Sequence, residues 1–332
     1  MNHYNRRVSK GWILLKRRWI LIILFIGLSL VSLMVGVSDV NIKGLISLDK
    51  EMWFLIGTSR LPRTITIILT AIGLSISGLI LQTITNNKFV SPDIVGVTDS
   101  AKLGLIIGVL LFGSFSIQFR LLFAFVFAVI GSLGFIFILK KIKFKNDVYV
   151  PLIGLMFGAV IQAVVTFIAY QFNLTQVADT IGIGSFTTKI QGNYELLYVI
   201  VIPIVIGFIY MVQFNIIGLG EDFSKNLVIN YKRVMAIGLI IVALITAAIF
   251  VVVGNIPFVG LIVPNLVSLY YGDNTKKTSF DIVLFGSVFV LLADVISRVI
   301  IYPYEIPVSV TMGITGSIIF LFLIYRRALY AK

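Results

Sequence analysis

The sequence predicts an all-α membrane protein, a polytopic bundle of about ten transmembrane helices formed by one domain over residues 1–332. The chain is 59% hydrophobic and only 12% charged, whereas soluble domains carry roughly 25% charged residues. Apolar windows long enough to cross a bilayer recur from end to end, and short clusters of Lys and Arg separate them. These three observations indicate a membrane protein and exclude a soluble globular domain.

Ten apolar windows are candidates for transmembrane helices, because roughly 17–25 apolar residues cross a bilayer as a helix. An even number of spans places both termini on the same side of the membrane. The window at 258–272 is the shortest and contains Pro264 and Asn265. The windows lie near residues 19–38, 64–84, 96–113, 119–139, 151–171, 193–213, 234–254, 258–272, 281–300 and 308–325.

The first window follows a basic segment, residues 1–18, that contains six Lys and Arg residues. A cleaved signal peptide would have a short apolar region and a cleavage site of small residues. Neither is evident in this sequence. We therefore interpret the window as an uncleaved first helix that follows a cytoplasmic basic tail.

The distribution of basic residues predicts the orientation. With the N-terminus inside, 19 Lys and Arg residues fall in cytoplasmic segments and seven in external segments, with Lys102 left uncounted near a boundary. Cytoplasmic loops of membrane proteins are enriched in Lys and Arg, so this bias places both termini in the cytoplasm. It also accounts for the net charge of +13 without a nucleic-acid partner. The external residues are Lys43, Lys50, Arg60, Arg63, Arg120, Lys189 and Arg298.

The residue types exclude several kinds of site. The chain has no cysteine and one histidine, His3, in the terminal tail, so we expect no disulfides, thiolate metal sites or histidine-based catalysis. No P-loop, Gly-x-Ser-x-Gly or His-Glu-x-x-His motif is present, and these motifs mark nucleotide-binding and hydrolytic sites. We expect a chain that is not an enzyme and that holds no metal.

Small residues and two longer segments suggest further structure. Gly104/Gly108 and Gly154/Gly158 have the spacing that lets helix backbones approach closely, either within the chain or between subunits. The external segment 173–194 is expected to contain a short helix around Gly184–Gln191. The cytoplasmic segment 214–233 is expected to contain an amphipathic helix that begins with acidic residues, which favour a helix N-terminus.

Two features within the spans have both structural and functional interpretations. Asp294 and Arg298 lie four residues apart on one helix face, the spacing of an ion pair. Ionisable residues inside membranes are costly unless they are paired or hydrated, and they are candidates for function. The stretch Gly254–Asn265 mixes Gly and Pro with apolar residues. It is either a kinked packing helix or one wall of a translocation path, because proline frees a backbone carbonyl.

An ordered set of motifs extends over about residues 55 to 327. Each motif is weak alone, but their order makes the set specific. The motifs are Arg60-Leu-Pro-Arg63, Ser77-Gly-Leu-Ile-Leu-Gln82, Asn87-Lys-Phe-Val-Ser-Pro92-Asp-Ile-Val-Gly96, Leu219-Gly-Glu221, Gly254–Asn265, Ala293-Asp-Val-Ile-Ser-Arg298 and Glu305-Ile-Pro307-Val-Ser309. Together they resemble the permease family of ATP-driven iron-siderophore, haem and cobalamin importers (FecCD-type, type II importers).

The resemblance implies a permease subunit of an ATP-driven ferric-siderophore importer in a cell membrane. It implies a second permease, with a heterodimer favoured over a homodimer, and two cytoplasmic ABC ATPase subunits that bind ATP and Mg. An extracellular substrate-binding (lipo)protein would deliver the ligand, and this chain would bind no cofactor of its own. The loop Asn-Lys-Phe-Val-Ser-Pro is similar to that of the branch for catecholate-type siderophores, and the Ile-, Lys- and Asn-rich composition suits a Gram-positive bacterium.

The resemblance also implies roles for individual residues. Outward-facing arginines would dock carboxylates of the binding protein through strong, directional contacts, with interfacial snorkelling as the alternative for the first two. The expected docking residues are Arg60, Arg63 and Arg298. The expected cytoplasmic gate consists of Asn87, Phe89 and Pro92, with the turn Phe144–Asp147 as a second part. The expected contact with the ATPase begins at Gly220, Glu221 and Asp222, and Glu221 would pair with a basic residue there.

Four side chains depart from the family pattern, and their effect is open. Lys88 stands in place of Pro, Asn265 in place of His, Ser268 in place of Arg and Ser309 in place of Gly. Two alternatives to siderophore import remain: an ion-coupled secondary transporter, and a permease of the same family for haem or cobalamin. A membrane-embedded enzyme is disfavoured by the lack of catalytic residue sets.

Overall fold

The protein is described by a computed structural model that covers residues 2–36, 50–113, 117–141, 149–272 and 275–330. In these segments seven helices are long and apolar enough to cross a membrane. Two shorter apolar stretches accompany them in the same described part: Arg18–Met34, which is the second half of the first helix, and Val259–Tyr271. The predicted all-α membrane bundle is confirmed, while its orientation stays a prediction.

Thirteen α-helices follow one another in the described part of the chain, and each of the ten predicted windows coincides with one of them. A π-helical turn, Ile56–Arg60, joins α2 to α3, and a 3-10 helix, Glu195–Ile200, leads into α8. The helices are α1 (Asn2–Met34), α2 (Lys50–Leu55), α3 (Leu61–Ile84), α4 (Val97–Phe112), α5 (Ile117–Lys141), α6 (Tyr149–Gln171), α7 (Thr175–Gly182), α8 (Val201–Gly218), α9 (Glu221–Asn226), α10 (Tyr231–Val252), α11 (Val259–Tyr271), α12 (Thr275–Val299) and α13 (Val308–Tyr330).

The helices α3 and α10 form the centre of the bundle. In their apolar windows 78% and 72% of residues are buried, against 22% in α6 and 28% in α13. The helix α3 packs against α8, α10, α11 and α12. A helix that is apolar on all sides belongs in an interior, and here the small residues along α3 let four neighbours approach it. Much of the surface of α6 and α13 is left exposed by the described part of the chain.

The small-xxx-small glycines pack within the chain. A Cβ on Gly154 of α6 would lie 2.7 Å from the carbonyl oxygen of Ile94, and one on Gly108 of α4 would lie 3.3 Å from Phe123 of α5. At Gly154 the distance leaves room for glycine only. At Gly108 a larger residue would fit only if Phe123 shifted. Of the two possibilities left open by the sequence, the structure supports intrachain packing.

The bundle contains two irregular segments, at residues 85–96 between α3 and α4 and at 253–258 between α10 and α11. Asn86 and Phe258 have positive φ angles of 47° and 69°, which are rare for residues with a side chain. The stretch that was predicted as a kinked helix therefore consists of an irregular start followed by the short helix α11.

The prediction of a short external helix around Gly184–Gln191 is wrong. The short helix of that segment is α7, Thr175–Gly182, which ends before it. Ile183 instead forms a β-bridge with Asn255, and the Ser185 N–H donates to the Val253 carbonyl at 3.0 Å. Residues 183–185 are extended because they supply backbone partners to the irregular segment at 253–258, a tertiary contact that local propensity does not reveal, and a turn follows at residues 186–188.

Pro264 lies inside α11 and has no N–H to donate to the carbonyl four residues before it, that of Gly260. The amide of Gln82 on α3 donates to this carbonyl at 3.1 Å and lies 3.4 Å from the carbonyl of Leu261. An unpaired carbonyl inside a membrane protein would cost several kcal/mol, by the order of magnitude for buried polar groups. Gln82 thus compensates for Pro264 and fixes α3 against α11.

The crossing of α3 and α11 provides a test of this packing. A Cβ on Gly78 would collide with the backbone of Gly260, so we expect Gly78→Ala to lower the free energy of unfolding by about 1–3 kcal/mol. The matched control is Gly27→Ala in α1, where nothing lies within 4 Å of the new methyl group. Denaturant unfolding in detergent measures both variants, and an equal loss in the two would contradict the close crossing.

Candidate functional site

Asp294 of α12 is the centre of a buried ionic cluster. Its Oδ1 accepts a hydrogen bond from Arg63 of α3 at 2.9 Å, and its Oδ2 lies 2.6 Å from the Arg298 guanidinium. Arg63 also binds Glu305, in the loop before α13, through both carboxylate oxygens at 2.9 and 2.8 Å. The predicted Asp294–Arg298 ion pair is confirmed, and it belongs to a larger set of alternating charges.

The same cluster holds the end of α1. Arg298 donates to the carbonyls of Ser32 and Val35 at 2.9 and 2.6 Å, and Arg60 donates to the Val35 carbonyl at 2.9 Å. The last carbonyls of a helix have no partner within the helix and carry its negative end charge. The two arginines satisfy these carbonyls and connect α1 to α3 and α12.

Glu305 is the part of the cluster nearest the surface, with 13% of its side chain exposed. The Thr187 hydroxyl donates to Glu305 Oε2 at 2.8 Å. Burial alone would raise the pKa of this carboxyl, but the Arg63 charge and the hydrogen bonds from Thr187 and Arg63 hold the pKa below its ordinary value. Glu305 therefore keeps its negative charge. The carboxylates of Asp294 and Glu305 together balance the positive charges of Arg63 and Arg298.

The structure corrects the expectation that the three docking arginines face outward. Arg60, Arg63 and Arg298 are only 6%, 7% and 2% exposed. The arginine motifs showed which residue types were present. Apart from Asp294, which lies four residues before Arg298, the carboxylates and carbonyls that draw these side chains inward lie far away in the sequence. A docking role for the three residues stays a prediction.

The predicted gate residues lie in the irregular segment between α3 and α4. The Asn87 side chain is buried, and its Oδ1 accepts a hydrogen bond from the Phe89 N–H at 2.8 Å, which closes a tight turn. The Phe89 ring lies 6.2 Å from the ring of Phe320 on α13. Pro92 is buried against Gly260 of α11. The structure brings the three residues together, and their gating role stays a prediction; the turn Phe144–Asp147 lies outside the described residues.

Three of the four residues that depart from the family pattern contact one another at this loop. The Lys88 ammonium donates to the Ser268 hydroxyl at 3.1 Å, and the Asn265 amide donates to the Lys88 carbonyl at 2.6 Å. The fourth, Ser309, lies at the start of α13, where its N–H donates to the Gly184 carbonyl at 3.1 Å. The departures at 88, 265 and 268 therefore form one compatible set that holds the loop on α11.

The predicted cytoplasmic helix is present as α9, Glu221–Asn226. Gly220 precedes it with φ +110°, a conformation that favours glycine, and Glu221 pairs with Lys225 at 3.3 Å on the exposed side. Around it lies a group of exposed apolar side chains that we call the apolar knob. Its members are Leu219, Phe223, Leu227 and Val228, which are 63%, 48%, 49% and 94% exposed.

Sequence reasoning assigned no pair to Asp281, which it placed only at the end of a span. The structure buries this carboxylate completely and binds it to Arg18 of α1 through two hydrogen bonds of 2.8 Å each. Arg18 belongs to the basic tail, and its position next to the first apolar window was the only available signal. This pair fixes the middle of α1 to the first part of α12.

The chain is similar along nearly its whole length to known transport proteins. The model of the FecCD transport family matches residues 21–326. The petrobactin import system permease protein YclN of Bacillus subtilis (strain 168) is 45% identical over 317 residues, which cover 96% of this chain and 100% of YclN. The ferric-anguibactin transport system permease protein FatD of Vibrio anguillarum is 39% identical and covers 93% of this chain and 98% of that protein.

A solved structure supports the same fold. It is described as an inward-facing conformation of a metal-chelate type ABC transporter, and it matches with a TM-score of 0.78 at 24% sequence identity. The match covers 94% of this chain and 99% of the other. At this level of identity the likeness concerns the arrangement of helices.

The ionic cluster provides a second test. Replacing Asp294 by Asn would leave the buried Arg298 guanidinium without its carboxylate, so we expect a loss of about 3–5 kcal/mol in the free energy of unfolding. The control is Lys225→Gln, which removes an exposed pair on α9 and should cost less than about 1 kcal/mol. Denaturant unfolding in detergent compares the two variants, and similar small losses would show that the cluster does not hold the helices.

Proposed function

The chain belongs to the FecCD transport family, and we propose that it is the transmembrane permease subunit of an ATP-driven importer of ferric siderophores in a bacterial cell membrane. The observation that carries this proposal is the similarity, over nearly the full length, to permeases for petrobactin and ferric anguibactin import. Within the cargo class we propose a catecholate-type siderophore, on the loop Asn-Lys-Phe-Val-Ser-Pro. A Gram-positive source is supported by the Bacillus subtilis relative.

We propose that a second permease covers part of α6 and α13. These helices have the least buried windows of the seven apolar spans in the described part, at 22% and 28%. Phe320 of α13 contacts the gate residue Phe89, so a path between two permeases along α13 would pass the gate loop. We favour a heterodimer, because siderophore systems of this kind often have two related permeases.

We call residues 85–96 the gate loop and residues 214–233 the coupling segment. The two lie directly beside each other, which supports a mechanical connection. One cavity of about 430 Å³ is lined by Asn86, Asn87 and Lys88 of the gate loop and by Asn215, Gly218 and Leu219 of the coupling segment. Gly218 also packs on the carbonyl of Thr83 at the end of α3. A force on α9 would therefore reach both the end of α3 and the gate loop through direct contacts.

In this proposal the apolar knob enters a cleft of a cytoplasmic ABC ATPase. Exposed apolar side chains grouped on a short helix mark an interaction surface, and the acidic start at Glu221 and Asp222 supplies charge for a basic partner. Two ATPase subunits would bind and hydrolyse ATP with Mg, while this chain supplies the path. The permease itself would undergo no covalent chemistry.

The proposal includes docking of an extracellular binding protein at Arg63. The contacts of Arg63 in this structure set a condition for that docking. Arg63 is already bound by Glu305 and Asp294. A carboxylate of the binding protein would have to displace Glu305, the partner nearer the surface, while Asp294 keeps its place beneath. This exchange would make docking sensitive to the position of the loop before α13.

The alternative of an ion-coupled secondary transporter is less well supported. Ion relays use carboxylates that can take up and release the coupling ion. The two completely buried carboxylates among the described residues, Asp281 and Asp294, are each held by arginine. These carboxylates serve as structural ion pairs, which favours energy input from partner ATPases.

Reconstitution tests the function directly. In proteoliposomes with the second permease, both ATPases and the binding protein, we expect ATP-dependent uptake of a ferric catecholate. A panel with ferric citrate, haem and cobalamin defines the cargo, and preferred uptake of haem or cobalamin would contradict the siderophore assignment. Uptake driven by an ion gradient in the absence of ATP and ATPases would contradict the import mechanism.

The coupling role has a separate test. Glu221→Lys should lower uptake by roughly tenfold, equivalent to about 1.4 kcal/mol of lost contact energy, while the ATPases continue to hydrolyse ATP. The matched control is Asp179→Lys, the same charge change at an exposed position of α7, which lies on the predicted external face. Normal uptake with Glu221→Lys, at an unchanged ratio of uptake to hydrolysis, would contradict coupling through this residue.

A further inference from the structure

A cavity of about 370 Å³ lies on the predicted external face, between the start of α5, the end of α7, the 183–189 segment and the end of α10. Two basic residues line it, Arg120 of α5 and Lys189 of the 183–189 segment. Thr180, Ser185 and Thr188 line it as well. The hydroxyls of Thr180 and Ser185 already donate to the Gln176 carbonyl and to Thr187, so the polar lining combines two positive charges with the Thr188 hydroxyl as a further donor.

The two basic residues differ from Arg63 and Arg298 in belonging to no ion pair among the described residues. Arg63 and Arg298 are neutralised by Asp294 and Glu305, whereas none of the ion pairs that the structure describes includes Arg120 or Lys189. The cavity lining contains no Asp or Glu. This cavity therefore concentrates positive charge that the described part of the chain leaves uncompensated.

Burial strengthens the requirement for a partner. The Nε of Arg120 is buried and has no hydrogen-bond acceptor among the described residues, whereas most buried donors in native proteins have a partner. Lys189 is half-buried, and burial lowers its pKa because the charged form loses hydration. An anion in the cavity would offer an acceptor to Arg120 and stabilise the ammonium of Lys189.

The other walls of the cavity are apolar, and they include Leu105 of α4 and Phe250 of α10. Ligand pockets of roughly 300–1,000 Å³ typically combine such walls with a few convergent polar groups. The volume of this cavity lies at the small end of that range. It suits a compact ligand with a hydrocarbon or aromatic part beside its charged group.

We propose that this cavity is a binding site for an oxyanion, a carboxylate or phosphate group carried on an apolar body. Arg120 and Lys189 would bind the charged oxygens, the Thr188 hydroxyl would donate a further hydrogen bond, and the apolar walls would cover the remainder of the ligand. Two sources share this chemistry: a soluble organic acid and the headgroup of an anionic lipid. The site is separate from the Asp294 cluster and does not depend on the proposed import function.

The experiment uses the full chain in nanodiscs of phosphatidylcholine, with phthalate as an aromatic dicarboxylate probe and its neutral diamide as the matched control ligand. Calorimetric titration should show saturable binding of phthalate and none of the diamide. Arg120→Gln and Lys189→Gln should each weaken phthalate binding by at least roughly tenfold, the loss expected for a charge-assisted hydrogen bond. Lys189→Arg should retain binding, and Lys50→Gln, the same charge loss at an exposed external position, should leave it unchanged.

A second arm with nanodiscs that contain phosphatidylglycerol distinguishes the sources. If an anionic lipid occupies the site, phosphatidylglycerol will weaken phthalate binding to the wild type, and native mass spectrometry will detect retained lipid that Arg120→Gln and Lys189→Gln lose. If the ligand is a soluble acid, phthalate binding will be the same in both lipids.

Unfolding midpoints confirm that the variants are folded. The proposal is overturned if neither phthalate nor anionic lipid binds, or if both bind equally to the wild type and to folded Arg120→Gln and Lys189→Gln.

Discussion

A carboxylate buried among apolar helices must have cations beside it, and Asp294 imposes this condition on the predicted external half of the bundle. Charges taken out of water cost several kcal/mol each unless they are paired and hydrogen-bonded. Asp294 is paired by Arg63 from α3 and by Arg298 from its own helix, and Glu305 compensates the extra positive charge. Arg298 also donates hydrogen bonds to the last carbonyls of α1. One buried charge thus determines how α1, α3, α12 and the loop before α13 meet.

Irregular backbone inside the bundle follows a related rule, because unpaired N–H and C=O groups are not tolerated in lipid. Each break is satisfied by a side chain or backbone group from another element, so the breaks are fixed parts of the fold. The partners are Gln82 for the Gly260 carbonyl, Asp93 for the Phe258 N–H, Asn265 for the Lys88 carbonyl and Ser185 for the Val253 carbonyl. Two of these contacts hold the gate loop against α11 and the residue before it, which explains how a non-helical loop can keep a defined position.

The helix α3 connects the regions to which functional roles are proposed. Arg63 near its start belongs to the ionic cluster, Gln82 near its end supports α11, and Thr83 contacts the coupling segment at Gly218. The sequence motifs identified this helix and the loop after it as important. Their positions at the two ends of an apolar span were predictable, whereas the inward direction of the arginine side chains was not. A motif records the residue types that stand together along the chain and carries no information on which distant groups they meet.

The sequence by itself determined the positions of the apolar helices, the membrane class, the family and the short helix after Gly220, because hydropathy, helix-start signals and ordered motifs are local properties of the chain. Tertiary structure decided the burial of Arg60, Arg63 and Arg298, the extended form of 183–185 and the contacts among Lys88, Asn265 and Ser268. It also decided which cations stay uncompensated, since Arg63 meets Asp294 across 231 positions in the chain while Arg120 meets no carboxylate among the described residues. Charge neutralisation and backbone pairing act between elements brought together by folding, so their outcome cannot be read along a single helix.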